Sequence, residues 1–379
     1  MSALYHESHG SNHMDDDGFD HGRIAVSLEH LLKAVHPHQH AAPQLTFVQT
    51  NLISDGSVPA MQTDLNFVNP WGVAFSSTGP FWVSDAGTGV TTIYDGTGAP
   101  FPVAGHTVIQ IAAAPGQNGT ATPTGQTFNS TADGFQITDN GVTAKSAFIF
   151  VTTQGTISGW APTVANGDTS VIAVDNSTHN AAYTGVALSD TGQNDLLYAA
   201  NFRNGTVDVF DQNWQQVNSF TDSQLPDGYA PFNVAAIDDS LYVTYAKRNP
   251  AGPGDDPGPG HGFVDKFDLQ GNLMERVASS GPLDSPWGIA IAPDSFGKLA
   301  GDLLIGNFGD GTINVFNPDN DRFIGKLLGP DGKPLQNDKL WTMTPGNGGT
   351  GGDPNTLYFT AGIGDEQHGL FGSIAPPPS

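Results

Sequence analysis

Three polar residues occupy one position in three similar strings of this sequence. They are Asp85 in F-W-V-S-D-A-G-T-G-V-T-T-I-Y-D, Asn201 in L-Y-A-A-N-F-R-N-G-T-V-D-V-F-D and Asn307 in L-L-I-G-N-F-G-D-G-T-I-N-V-F-N. Oxygen donors of this kind suit a hard divalent cation such as Ca²⁺. Asn and Asp also favour turns, because their side chains bond nearby backbone, and that local reading stands beside the first. Histidines form a second set. His261 and His368 each stand directly before a Gly and an apolar run, and His179 lies in a connecting segment. A loop imidazole can act as a general base or a metal ligand; the simpler alternative is a solvated surface side chain. Asp255 and Asp256 precede His261, and Asp365 and Glu366 stand beside His368, so carboxylates are at hand for either role. Trp71 in N-P-W-G-V-A-F and Trp287 in S-P-W-G-I-A-I offer aromatic faces either to a ligand or to packing between sheets. The sequence has no Gly-x-Ser-x-Gly elbow, H-E-x-x-H, phosphate loop or dinucleotide fingerprint. No complete catalytic set is therefore visible, and no nucleotide or organic cofactor is indicated.

The elements that position these residues follow from a repeat. Each string is an apolar strand, a polar turn ending in Gly and an alternating strand, the pattern of a β-hairpin. F-I-F-V-T-T-Q-G-T-I-S-G-W (148–160) is a further copy. Two more are stretched: L-Y-V-T-Y-A-K-R and H-G-F-V-D-K-F-D flank a Pro-, Gly- and Asp-rich insertion, and L-Y-F-T-A-G-I-G-D-E-Q-H-G-L-F-G-S-I spans 357–374. One strand precedes each hairpin, as P-W-G-V-A-F, P-T-G-Q-T-F, Y-T-G-V-A-L, P-F-N-V-A-A, P-W-G-I-A-I and L-W-T-M-T. A fourth strand follows most of them, for example H-T-V-I-Q-I at 106–111. Four strands repeated six times predict an all-β fold, a six-bladed β-propeller over 44–375 with a short Pro-rich end at 376–379. The last blade lacks its outer strand. L-T-F-V-Q-T-N-L (45–52) can supply it and so close the ring and cover the open edges.

Residues 1–43 fall outside the repeat and form a His- and Asp-rich extension. They hold eight of the twelve histidines, and Ile24, Leu28, Leu31, Leu32 and Val35 have helical spacing, predicting an amphipathic helix over 24–35. His36, His38 and His40 in H-P-H-Q-H are candidate ligands for Zn, Cu or Ni; a solvated tail is the other reading.

Composition bounds the partners. Lys plus Arg number 13 against 38 Asp plus Glu, a formal charge of −25. Nucleic acid is not an expected partner, because phosphate binding needs clustered cations. No run of 18 apolar residues exists, so no membrane insertion is expected. There is no Cys, which rules out disulfides and thiolate metal sites. The start, M-S-A-L-Y-H-E-S-H-G, shows no basic and apolar signal region.

The long string at 68–96, with A-N-F-R-N-G-T-V-D-V-F-D, S-P-W-G-I-A-I-A-P and I-G-N-F-G-D-G-T-I-N-V-F, resembles a family of uncharacterised bacterial propellers. Some of its members carry an export signal and a PEP-CTERM sorting tail. The resemblance covers about residues 45–374, and the sorting tail is absent here. The blades are more distantly similar to NHL-repeat and gluconolactonase-like propellers. That resemblance implies one divalent cation held near the channel, although the Glu that such enzymes carry early in the chain has no counterpart here. Streptogramin-lyase-like propellers imply a loop His working with a divalent cation. The expectation is an extracytoplasmic binding or scaffold propeller, with a divalent metal and a face at the channel mouth for a protein or small-molecule partner. The alternative is a metal-assisted hydrolase or lyase, with His261 and His368 as its catalytic candidates and Trp71, Trp287 and His179 contacting the ligand.

Overall fold

Short alternating runs broken by Gly-containing turns cannot sustain helices, and each repeat pairs with itself as a β-meander. In a computed structural model, which describes residues 45–378 apart from 190, 193 and 194, these strands form six four-stranded antiparallel sheets. From the inside out, blade 1 is Pro70–Ala74, Phe81–Asp85, Val90–Tyr94 and Val108–Gln110. The inner strands of blades 2 to 6 are Pro123–Phe128, Tyr183–Leu188, Tyr229–Ile237, Pro286–Ile291 and Leu340–Pro345. All six start where the sequence pattern places them, within two residues. The extension, with its expected helix over 24–35 and His36, His38 and His40, lies outside the described residues.

The ring closes as expected. Val48–Ser54 runs antiparallel to Leu370–Ala375, with Val48 opposite Ala375 and Ser54 opposite Leu370. The first strand of the propeller thus supplies the outer strand of the last blade, and Gln62–Thr63 then pairs parallel to Ile53–Ser54. One element was not anticipated. Blade 2 carries an extra hairpin, Gln136–Asp139 with Val142–Lys145, between its first two strands. Its turn is Asn140-Gly141, both at positive φ (48° and 80°), the pair such a tight turn favours.

Faces of adjacent blades pack on one another and exclude water. Trp82 of blade 1 stacks on Phe148 of blade 2 at 4.1 Å, and Phe81 meets Tyr358 of blade 6 at 4.7 Å. Burying each such ring contributes ~2–3 kcal/mol relative to exposure. The inner strands also crowd the axis. A Cβ on Gly72 would lie 2.6 Å from Thr124 O, and one on Gly125 2.7 Å from Val186 N, so the third position of P-W-G and P-T-G has no room for a side chain. Neighbouring inner strands are laced by side chains: Gln126 Nε2 donates to Gly72 O (2.9 Å), Asn233 Nδ2 to Trp287 O (2.9 Å) and Thr342 Oγ1 to Trp71 O (2.7 Å).

Candidate functional site

Asp85, Asn201 and Asn307 do end equivalent second strands, and all three are buried. Each makes hydrogen bonds inside its own blade, while Asp85 Oδ1 and Asn307 Oδ1 have no partner. Asp85 Oδ2 accepts from Thr92 Oγ1 (2.7 Å), Asn201 Nδ2 donates to Asp208 Oδ2 (2.8 Å), and Asn307 Nδ2 donates to Pro282 O and Asp310 Oδ1 (both 2.9 Å). Side chains alternate along a strand, so the next residue points the other way. That next residue, Ala86, Phe202 or Phe308, belongs to the cluster at the channel. Its amide is fixed by the chain entering the inner strand: Ala86 N donates to Asn69 O, Phe202 N to Ala182 O and Phe308 N to Ser285 O (2.9–3.1 Å). Among the described residues, no group of three or more His, Cys, Asp or Glu side chains converges in a way that could hold a metal.

The channel is divided by aromatic rings. Trp71, Trp287 and Trp341 come from blades 1, 5 and 6. Trp71 stacks on Trp341 at 3.4 Å, and Trp287 stands edge-on to both, at 6.3 and 5.6 Å. Phe308 leans on Trp341 at 4.2 Å, and Phe232 and Phe202 complete the cluster. Below it, a cavity of about 450 Å³ is lined by inner-strand residues, including Gln126, Asn233 and Trp287, and by no charged side chain. Above it, on the side of the turns between second and third strands, a cup of about 250 Å³ opens. Its floor is Trp71, Trp341, Phe202, Phe232 and Phe308, and its rim carries Arg203, Asp255 and Glu366.

The rim charges are placed by three different loops. Glu366 sits in the blade 6 turn, where Gly364, Asp365 and Glu366 are all left-handed (φ 68°, 55° and 65°). Such backbone is costly for residues with a Cβ and persists only where surroundings impose it. Asp338 Oδ2 imposes it here, accepting from Gly364 N (2.9 Å) and Asp365 N (3.3 Å). Glu366 Oε1 accepts from Asn69 Nδ2 (3.0 Å), and Asn69 Oδ1 accepts from Trp341 Nε1 (3.1 Å). Floor and rim are therefore joined through the Asn of N-P-W. Gly362 makes room for that junction, because a Cβ there would overlap Asn69 Oδ1. Asp255 comes from the Pro- and Gly-rich insertion of blade 4, and its shielded carboxylate has the Ser285 hydroxyl beside it. Burial pushes the carboxyls of Glu366 and Asp255 above the ordinary range, against the pull of Lys339. The Trp71 indole N–H is also without a partner.

The three histidines sit on the same side of the ring but do not line the cup. His261 Nδ1 pairs with Asp256 O (2.8 Å), His368 Nδ1 with Asp55 Oδ2 (2.7 Å), and His179 O accepts from Asn204 Nδ2 (3.3 Å). The matching places of His261 and His368 have a backbone meaning. His368 O accepts from Asn69 N (3.2 Å) and His261 O from Ser285 N (2.9 Å), so each anchors the residue before the Pro of a P-W-G copy. Of the ligand candidates, Trp71 faces the cup and Trp287 the lower cavity. Arg203, Phe202, Phe308 and Trp341 were not singled out from sequence. The Phe of the two N-F-x-x-G turns was the available signal.

No protein-family model matches the chain. The propeller fold is shared with a streptogramin B lyase (TM-score 0.50, 13% identity, 88% of this chain and 98% of that one). It is also shared with a protein of unknown function from Bacteroides thetaiotaomicron (TM-score 0.54, 13% identity, 88% and 76%). At such identities the likeness is one of fold. By sequence, an uncharacterised protein of Acanthamoeba polyphaga mimivirus is 32% identical over 331 residues, covering 85% of this chain and 78% of the relative. A second from the same virus is 30% identical over 333 residues, covering 85% and 84%. The sequence resemblance pointed to bacterial propellers; these relatives are viral instead. The chain belongs to the family of these uncharacterised mimivirus proteins.

Proposed function

We propose that the protein is a binding propeller whose upper cup takes a small molecule. The observation that carries this reading is the cup's unfinished polar lining above a closed aromatic floor. Trp71 Nε1 is buried without a partner, and buried polar groups are ordinarily satisfied. A ligand that supplied its partner would remove that deficit. The volume is below the ~300–1,000 Å³ of pockets for drug-sized ligands, so the occupant is smaller.

The test is a fragment screen by saturation-transfer NMR on the wild type and on Gly254→Leu. Gly254 lines the cup, and an added Cβ meets nothing within 4 Å, so the larger side chain fills the mouth without a clash in the fold. Fragments that bind the wild type and are lost in the variant support the reading; no hits, or hits kept by the variant, refute it. A divalent cation held by the propeller or by His36, His38 and His40 is a separate proposal. So is an extracytoplasmic location. Elemental analysis of chains with and without residues 1–41 reads the first, and cell fractionation the second. The enzymatic alternative places catalysis on His261 and His368; unchanged turnover of an identified substrate in the double Ala variant would dismiss those two residues.

A further inference from the structure

We infer that the cup is built for a small organic cation, an ammonium group seated on Trp71, Trp341 and Phe308 between the carboxylates of Asp255 and Glu366; this rests on the binding reading above. Three observations point the same way. The floor is made of indole and phenyl rings, whose faces attract cations. Two carboxylates enter over that floor from different blades. Trp71, only 7% exposed, keeps an unpaired N–H that suits a hydroxyl or carbonyl elsewhere on the ligand.

Phe308 of the floor already has one ammonium group at its ring. Lys339 Nζ lies 4.5 Å from the centroid of Phe308 and 3.5 Å from Asp365 Oδ1. Lys339 acts on the carboxylates of Asp255, Glu366 and Asp284 and pairs with Asp365, and Arg203 and Arg248 are the further cations near the rim. Negative charge stays in excess locally, as it does over the whole chain at −25, and such a field draws cations to a concave site. An anion would meet two carboxylates. A neutral apolar molecule would leave the Trp71 N–H unpaired.

Choline and its neutral isostere 3,3-dimethylbutan-1-ol separate charge from shape. The full chain is titrated with each by calorimetry and tryptophan fluorescence. The expected result is saturable choline binding, about tenfold or more tighter than the isostere. Glu366→Gln, which keeps an oxygen for Asn69, should weaken choline about five- to tenfold with an unchanged circular dichroism spectrum. Asp255→Asn serves as the second variant. Equal binding of choline and isostere, preferential binding of acetate, or choline affinity indifferent to both variants overturns the inference. In each of those cases fragment binding lost in Gly254→Leu still upholds the binding reading. If no probe of any charge binds, both fall.

Discussion

The two P-W-G copies begin alike and end in different places. Asn69 and Ser285 precede them with nearly the same left-handed backbone (φ 47° and 46°), and each takes a hydrogen bond to a His carbonyl. Both tryptophans are buried, at 7% and 4% exposure. Yet Trp287 donates its N–H to Thr184 O across the channel (2.9 Å) and lines the lower cavity, whereas Trp71 turns to the cup with its N–H free. Blade 6 lies between them and breaks the symmetry. Its Trp341 stacks on Trp71 and meets Trp287 edge-on. The Asn in place of Ser then joins Trp341 to Glu366. A repeat thus fixes backbone, and a single changed residue decides what the backbone is used for.

Removing what both copies lean on should have the largest effect. Deleting residues 45–54 strips blade 6 of its outer strand and reopens the ring. Calorimetry should then show no cooperative transition; an unchanged melting curve would dismiss the closure. Replacing each tryptophan by Phe sharpens the contrast. Trp287→Phe leaves Thr184 O unpaired and should lower unfolding free energy by ~1–3 kcal/mol in urea, while Trp71→Phe should change it by less than ~1 kcal/mol. Equal losses would mean that packing, and not the bond to Thr184 O, sets the cost at both positions.

Asn69→Ser writes the blade 5 residue into blade 1. It removes the bonds to Trp341 and Glu366 and should reduce stability by ~1–2 kcal/mol while loosening the cup. Urea denaturation reads the first effect, and slower ligand-off rates would contradict the second. The smallest effect is electrostatic. Asp85 is Asn at the equivalent blade 5 position, and burial raises its carboxyl well above the ordinary range. The folded state then holds the proton more tightly than the unfolded one. Stability is fullest below about pH 4 on this account and falls as pH rises through the folded value. Asp85→Asn should flatten the fall of the melting temperature between pH 4 and 8 relative to wild type. A slope identical to wild type would assign that dependence elsewhere.

The blades were legible because alternation and turn residues repeat, and so was the closing strand, because the last repeat was one strand short. The cup was legible only in pieces. Asn201 and Asn307 drew attention as polar residues at the end of a strand, but the twist into the turn carries Phe202 and Phe308 to the axis instead. Asp255 lies in an insertion whose Pro and Gly content gives no periodicity, so its approach to Glu366 of blade 6 depends on ring closure and not on local pattern. The Asn140-Gly141 turn of the extra hairpin was a readable signal that the blade repeat overshadowed.

The latch between residues 48–54 and 370–375 also sets an order in time. During synthesis the first strand emerges long before its partner, so its edge stays bare until residues 370–375 leave the ribosome. Trp341 and Glu366, which complete the cup, arrive in that same final blade. A chain released before about residue 340 would hold five blades, no latch and no finished cup. The complete cup is therefore a property that only chains translated past residue 375 acquire.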